Sequence, residues 1–157
     1  MRIDEIMTMN VATCGPGASL SDAARLMWEQ DCGCVPVVAD GKVVGMITDR
    51  DICMSTLMEG RPPAQLRVEQ AMSRSVYACA PGDTVDAATR IMQQRQVRRL
   101  PVRDQEAKLV GIVSLSDFAL RATHEHNMVK RNHGVRQVEQ TLEAISRPRA
   151  MAIVPRA

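Results

Sequence analysis

Three aromatic residues, one each of tryptophan, tyrosine and phenylalanine, are all that this 157-residue chain contains. A surface that holds single-stranded nucleic acid by stacking bases on rings needs several, so that class is excluded. The scarcity also dictates a core of Val, Ile, Leu, Met and Ala. Charge of one sign is lacking too. Twenty Lys and Arg stand against 18 Asp and Glu, a net +2, too weak a field to draw DNA or a membrane. No apolar run approaches the ~20 residues that cross a bilayer. The start, Met1-Arg2-Ile3-Asp4-Glu5, is acidic and leads into no apolar stretch, so no signal peptide is expected. The five cysteines, Cys14, Cys32, Cys34, Cys53 and Cys79, are odd in number and irregular in spacing, unlike the disulfide framework of a secreted domain. A reduced, cytoplasmic chain is expected. No nucleophile–base–orienter set and no strong metal cluster stands out, so no enzyme is expected.

What is present is an ordinary globular balance, 45% hydrophobic and 24% charged, in a length that suits one compact domain or two small ones sharing a core. An internal repeat organises it. Pro16-Gly17, Ala23, Arg25, Met27, Val35-Pro36-Val37, Val43-Val44-Gly45-Met46-Ile47-Thr48 and Asp51 recur as Pro81-Gly82, Ala88, Arg90, Met92, Leu100-Pro101-Val102, Leu109-Val110-Gly111-Ile112-Val113-Ser114 and Asp117. Met7-Thr8 before the first copy matches Met72-Ser73 before the second.

Each copy reads as β-α-β-β-α. Short strands are predicted over Val11 to Cys14 and Val76 to Cys79, each followed by a Pro-Gly turn. Leu20, Ala23, Ala24 and Met27, and likewise Val85, Ala88, Thr89 and Met92, fall at i, i+3, i+4 and i+7 of an amphipathic helix. Ser19 and Thr84 are its N-caps. Strands Val35–Val38 and Val43–Thr48 are joined by Asp40-Gly41, residues that tolerate positive φ. Leu100–Arg103 and Leu109–Ser114 pair in the second copy across a longer loop, and second helices begin near Asp49 and Leu115. A single unit is too small to bury much surface, so the two should pack sheet to sheet. The fold class is therefore α+β, with unit 1 over 1–60, a linker over 61–67, unit 2 over 68–124, and a C-terminal helix and tail over 125–157. In that last part Val135, Val138, Leu142 and Ile145 have helical spacing, and 146–157 is expected to fray.

The motif Gly45-x-x-Thr48-x-x-Asp51 recurs as Gly111-x-x-Ser114-x-x-Asp117. A helix N-terminus offers unpaired N–H groups and partial positive charge to a phosphate, and Thr48 or Ser114 can add a hydrogen bond. An ionised Asp51 or Asp117 accepts only, which suits the two hydroxyls of a ribose. Gly45 and Gly111 leave room for a ligand or a crossing strand. The same Thr/Ser-x-x-Asp spacing also makes a helix capping box that needs no ligand.

In these motifs, and in Val43 to Ile52 and Gln96 to Val102, the chain resembles the CBS domain family, over nearly all of 7–122. It looks closest to stand-alone two-domain bacterial members of the hypoxic-response type. The resemblance implies an adenine nucleotide (AMP, ADP or ATP; NAD or S-adenosylmethionine as less favoured relatives) in the cleft between the copies. It implies a nucleotide site drawn from Thr13, Val35, Pro36, Gly45, Thr48, Arg50 and Asp51 in unit 1, and Arg98, Arg99, Leu100, Pro101, Gly111, Ser114 and Asp117 in unit 2. Ala78 stands where Thr13 would recur. It also implies a homodimer, a regulatory and stress-related role, and output through a partner protein. The alternative is a structural or interaction protein that keeps the fold for dimerisation. Cys32 and Cys34, two apart on a strand, could turn both sulfurs to one side with Cys14 approaching, which leaves a metal site or a regulatory disulfide as an alternative, but no fuller ligand set is evident, and they read as small core residues; His124-x-His126, two apart on a helix, diverge and read as surface residues. Lys130, Arg131, Arg136, Arg147 and Arg149 form a basic tail interrupted by Glu139 and Glu143, which reads as solvated rather than as a nucleic-acid surface.

Overall fold

A computed structural model of the chain describes residues 1–124 and 128–147. His126, Arg149 and the tail beyond 147 lie outside the described residues.

Unit 1 contains α1 (Leu20–Glu29), a hairpin of β1 (Cys34–Ala39) and β2 (Lys42–Thr48), and α2 (Asp49–Glu59). The short α3 (Val68–Ala71) leads into unit 2, with α4 (Val85–Arg95), β3 (Arg99–Arg103), β4 (Leu109–Ser114) and α5 (Leu115–His124); α6 (Met128–Ser146) follows. The caps are as expected: Ser19 accepts from the Asp22 N–H at 3.1 Å and Thr84 from the Ala87 N–H at 3.2 Å. Asp40 and Gly41 turn the first hairpin at φ 51° and 74°. Both hairpins are antiparallel, with a register shift after Val37 in one and after Val102 in the other.

The predicted leading strands are reduced to one ladder pair each. Cys14 pairs in parallel with Val37, and Cys79 with Val102. They are short because the chain just before them is held by the other unit. Thr8 pairs with Ile112 through two bonds of 2.9 Å, and Ser73 pairs with Met46 at 2.9 and 3.0 Å. Each unit therefore lends its leading segment to its neighbour's hairpin, and Lys42 pairs with Lys108 where β2 and β4 meet.

The exchange decides which residues build which core. Ile3 is fully buried with Met92, Leu100, Val102 and Val113 of unit 2, and Leu66 and Val68 are fully buried with Leu20, Val35 and Ile47 of unit 1. The stretch 61–67, expected as a linker, thus carries a core leucine. It is strapped along the start of α1 by Leu20 N–H to Leu66 O, 3.0 Å, and Val68 N–H to Ala18 O, 2.9 Å.

Helix α6 is longer than the predicted Gly134–Ile145 and lies against α4 and α5. Its contacts differ from the predicted apolar stripe. Val138 packs on the second core, but Val135 and Leu142 are 37% and 50% exposed. Docking is mostly polar: Gln137 donates to Thr89 (3.0 Å), Gln93 to Thr141 (2.9 Å) and Gln96 to Ala144 O (3.2 Å). A Cβ on Gly134 would lie 3.1 Å from Ala122 Cβ, so the helices cross closely there. Among the described residues no helix is long and apolar enough to cross a membrane.

Candidate functional site

Each hairpin ends in a residue that is both the last of a strand and the cap of a helix. Thr48 closes β2 in an extended conformation (φ −119°, ψ 162°) and opens α2. Its N–H and hydroxyl donate to Asp51 Oδ2 at 2.9 and 2.7 Å, and its Oγ1 accepts from the Asp51 N–H at 3.1 Å. Ser114 and Asp117 repeat the pattern at 2.7, 2.7 and 3.3 Å. Both motifs are therefore complete capping boxes. Only one carboxylate oxygen is spent on each cap; Oδ1 of Asp51 and of Asp117 takes no hydrogen bond from the described residues.

The helix termini behind the two boxes differ. At α2 the first three amides are all engaged: Asp49 with Gly33 O (3.2 Å), Arg50 with its neighbour Asp49 Oδ1 (2.7 Å), and Asp51 with Thr48. The expectation of free N–H groups for a phosphate is thus corrected for unit 1, where the Asp49 carboxylate already occupies the position and repels an anion. At α5, Leu115 donates to Arg98 O (3.0 Å) and Asp117 to Ser114. Leu115 stands where unit 1 has Asp49, so no carboxylate competes there.

The cations are distributed the same way. Arg99 lies directly opposite Ser114 across the β3–β4 ladder, and Arg98 precedes it, exposed. Their counterparts in unit 1 are Cys34, opposite Thr48, and Gly33. The half-buried Arg99 makes itself felt in unit 1: burial pushes the Cys34 thiol up, and the nearby Arg99 charge draws it partly back. Arg50 is exposed on α2.

The exposed Thr13 precedes Cys14, whose N–H bonds to Pro36 O at 3.2 Å, so Thr13, Pro36 and Thr48 belong to one end of the first hairpin. Ala78 and Pro101 are related in the same way through Cys79 N–H to Pro101 O, 3.2 Å. Val35 and Leu100 are 1% and 0% exposed within the cores, which leaves only their backbone to face a ligand. Gly45 and Gly111 are accounted for by the crossing chain. A Cβ would lie 2.6 Å from Met72 Sδ and 3.0 Å from Ser73 O in one case, and 2.6 Å from Met7 Sδ and 3.1 Å from Thr8 O in the other. No group of three His, Cys, Asp or Glu suited to a metal ion occurs among the described residues. The role of Asp49 escaped the sequence reading, although its contrast with Leu115 stands in the repeat.

A family model of the CBS domain matches residues 3–55 and 68–122. The CBS domain-containing protein YhcV of Bacillus subtilis is 41% identical over 118 residues, covering 75% of this chain and 83% of that protein. Hypoxic response protein 1 of Mycobacterium tuberculosis is 34% identical over 149 residues, 94% of this chain and 96% of its own. Among solved structures, the CBS domain pair of protein MJ0100 in complex with 5-methylthioadenosine and S-adenosyl-L-methionine aligns with a TM-score of 0.71 at 25% identity, over 80% of this chain and 98% of that one.

Proposed function

This chain belongs to the CBS domain family, and from that premise we propose that it is a cytoplasmic regulatory module that binds an adenine nucleotide between its two units and signals through a partner protein. The ligand is of the AMP, ADP or ATP class. The observation that carries the reading is the spare carboxylate oxygen on each of the two repeated capping boxes. An ionised carboxylate with one uncommitted oxygen accepts from ribose hydroxyls without giving up its cap. That MJ0100 is solved with two adenosine-bearing ligands adds support.

The two sites are not equivalent in this reading. Ser114, Asp117, Arg98 and Arg99, with the backbone of Leu100 and Pro101, form the phosphate-bearing site. Thr13, Thr48, Asp51 and Arg50, with the backbone of Val35 and Pro36, form a weaker one, because Asp49 holds the helix terminus. Nothing here calls for catalysis.

Thermal unfolding against millimolar AMP, ADP, ATP, NAD and S-adenosylmethionine tests this, with Asp51→Ala and Asp117→Ala beside the wild type. A ligand at a hundred times its dissociation constant stabilises by about 2.7 kcal/mol. The expected result is a nucleotide-dependent rise that Asp117→Ala abolishes and Asp51→Ala largely spares. No rise with any ligand, in a folded protein, refutes sensing. It would favour the second reading, an interaction protein whose boxes are caps alone; the completeness of both boxes without a ligand is the observation behind that alternative.

A further inference from the structure

Residues 96–98 join α4 to β3 and touch two regions at once. Towards the candidate site, Arg98 O accepts from the Leu115 N–H at 3.0 Å, at the start of α5. Towards α6, the Gln96 side-chain amide donates to Ala144 O and Arg147 O at 3.2 and 3.1 Å. Carbonyls at the end of a helix have no later turn to satisfy them, so Gln96 acts there as a clamp. Gln96 itself closes α4 in a left-handed conformation (φ 51°, ψ 45°), and the Val97 N–H returns to Met92 O at 3.1 Å. The link is held at both ends, and a shift of Arg98 is passed to Gln96 across a single residue. Unit 1 builds the same link without the clamp. Asp31 is left-handed (φ 47°), the Cys32 N–H bonds to Met27 O at 2.9 Å, and Gly33 O accepts from the Asp49 N–H at 3.2 Å. Asp31 has no side-chain N–H to donate, and Gly33 stands where unit 2 has Arg98. The clamp on α6 and the paired arginines therefore belong to one short segment of one unit, and the other unit has neither.

We propose that α6 is the output element of the unit 2 site: a phosphate held by Arg98 and Arg99 fixes the 96–98 link and so tightens the Gln96 clamp on the end of α6. This rests on the nucleotide reading and adds the place where occupancy is read. The make-up of α6 suits the task. Its remaining bonds to unit 2 are also polar, Gln137 to Thr89 and Gln93 to Thr141, so its grip can change by degrees while the core beneath α4 and β3 stays packed. Much of its length is exposed, so a change in its hold is offered to the outside. Coupling of this kind is reciprocal. If nucleotide tightens the clamp, an intact clamp must in turn raise the affinity for nucleotide.

Hydrogen exchange of α6 with and without AMP, ADP or ATP, beside calorimetric titration of the same nucleotides, tests this on wild type, Gln96→Gly and Gln93→Ala. Glycine keeps the left-handed backbone and removes only the amide; Gln93→Ala loosens α6 at Thr141, away from the link. In the wild type, bound nucleotide should slow exchange over 141–147. Gln96→Gly should exchange faster there, lose that response and bind nucleotide about five-fold or more weakly. Gln93→Ala should exchange faster and keep the response. The wild-type comparison stands independently of any variant. Nucleotide that binds and leaves α6 exchange unchanged, or speeds it, would overturn the coupling and leave the nucleotide site standing. A Gln96→Gly chain whose α6 still responds would overturn Gln96 as the link. No binding of any of the three would overturn both the site and the coupling.

Discussion

Replacing Gly45 by alanine separates two reasons for a glycine at that point, space for a ligand or space for a crossing chain. The glycine has no positive φ, so backbone strain is not the issue. The added Cβ would meet Met72 Sδ at 2.6 Å and Ser73 O at 3.0 Å. The thioether can swing away, but the carbonyl is fixed by its own bond from the Met46 N–H at 3.0 Å. Either the crossing segment moves out, weakening its two ladder bonds, or the hairpin bends. Overpacking of this kind costs about 1–3 kcal/mol, a fall in Tm of about 2–12 °C for a domain of this size. Gly111→Ala should behave alike, since Met7 Sδ and Thr8 O stand at 2.6 and 3.1 Å. Calorimetric melting of both variants, with and without the best nucleotide, is the assay. An unchanged Tm together with a lost nucleotide response would refute the steric argument and return both glycines to the ligand.

Three further predictions follow from packing and burial. Leu66→Ala should cost about 2–5 kcal/mol in urea unfolding, because Leu66 is fully buried in the first core; an exposed connector residue would give less than about 0.5 kcal/mol. The Cys79 thiol is pushed up to about 12, chiefly by burial and then by Asp83, against about 8.5 in an unfolded chain. Above the lower value the unfolded chain sheds a proton that the folded one keeps, so stability should fall as pH rises from about 9 to about 12, and Cys79→Ala should flatten that slope in urea midpoints. Gly134→Leu should push α6 away from Ala122, at about 1–3 kcal/mol, and hydrogen exchange should show lost protection within 128–147 while the two hairpins keep theirs.

The hairpins, their helices and the caps were legible because they are local. Pattern, turn chemistry and capping residues act within a few positions of each other, and the Asp40-Gly41 turn and the Thr48 and Ser114 boxes fell where sequence put them. The exchange of leading segments was not legible. Ile3 and Val68 recur at the register of the repeat, but nothing in either residue states that it packs on the other copy; only the long-range pairing of Thr8 with Ile112 and Ser73 with Met46 makes it so. The α6 interface escaped for another reason. A search for apolar periodicity passes over Gln93, Gln137 and Thr141, which hold that helix by hydrogen bonds. At the candidate site the two Thr/Ser-x-x-Asp boxes were legible, and the bond by which Asp49 accepts from the Arg50 N–H at the α2 terminus was not, because it depends on a side-chain conformation that the repeat marks only by the contrast of Asp49 with Leu115.

The exchanged segments also limit how a ligand can act on the fold. Freeing one crossing would cost two ladder bonds, about 0.5–1.5 kcal/mol each, and would uncover the buried Met72 at one crossing or the half-buried Met7 at the other, about 1.5–3 kcal/mol more. A nucleotide offering about 2.7 kcal/mol at saturating concentration falls short of that sum or barely meets it. Binding should therefore turn the units about their crossings and leave both fastened. A rotation needs a group that feels both units, and Arg99 is placed for it: opposite Ser114 on its own hairpin and near enough to Cys34 on the other to draw its thiol down. A phosphate that draws Arg99 toward Ser114 would weaken its hold on Cys34, and that difference in contacts between two arrangements is what linkage requires of a sensor.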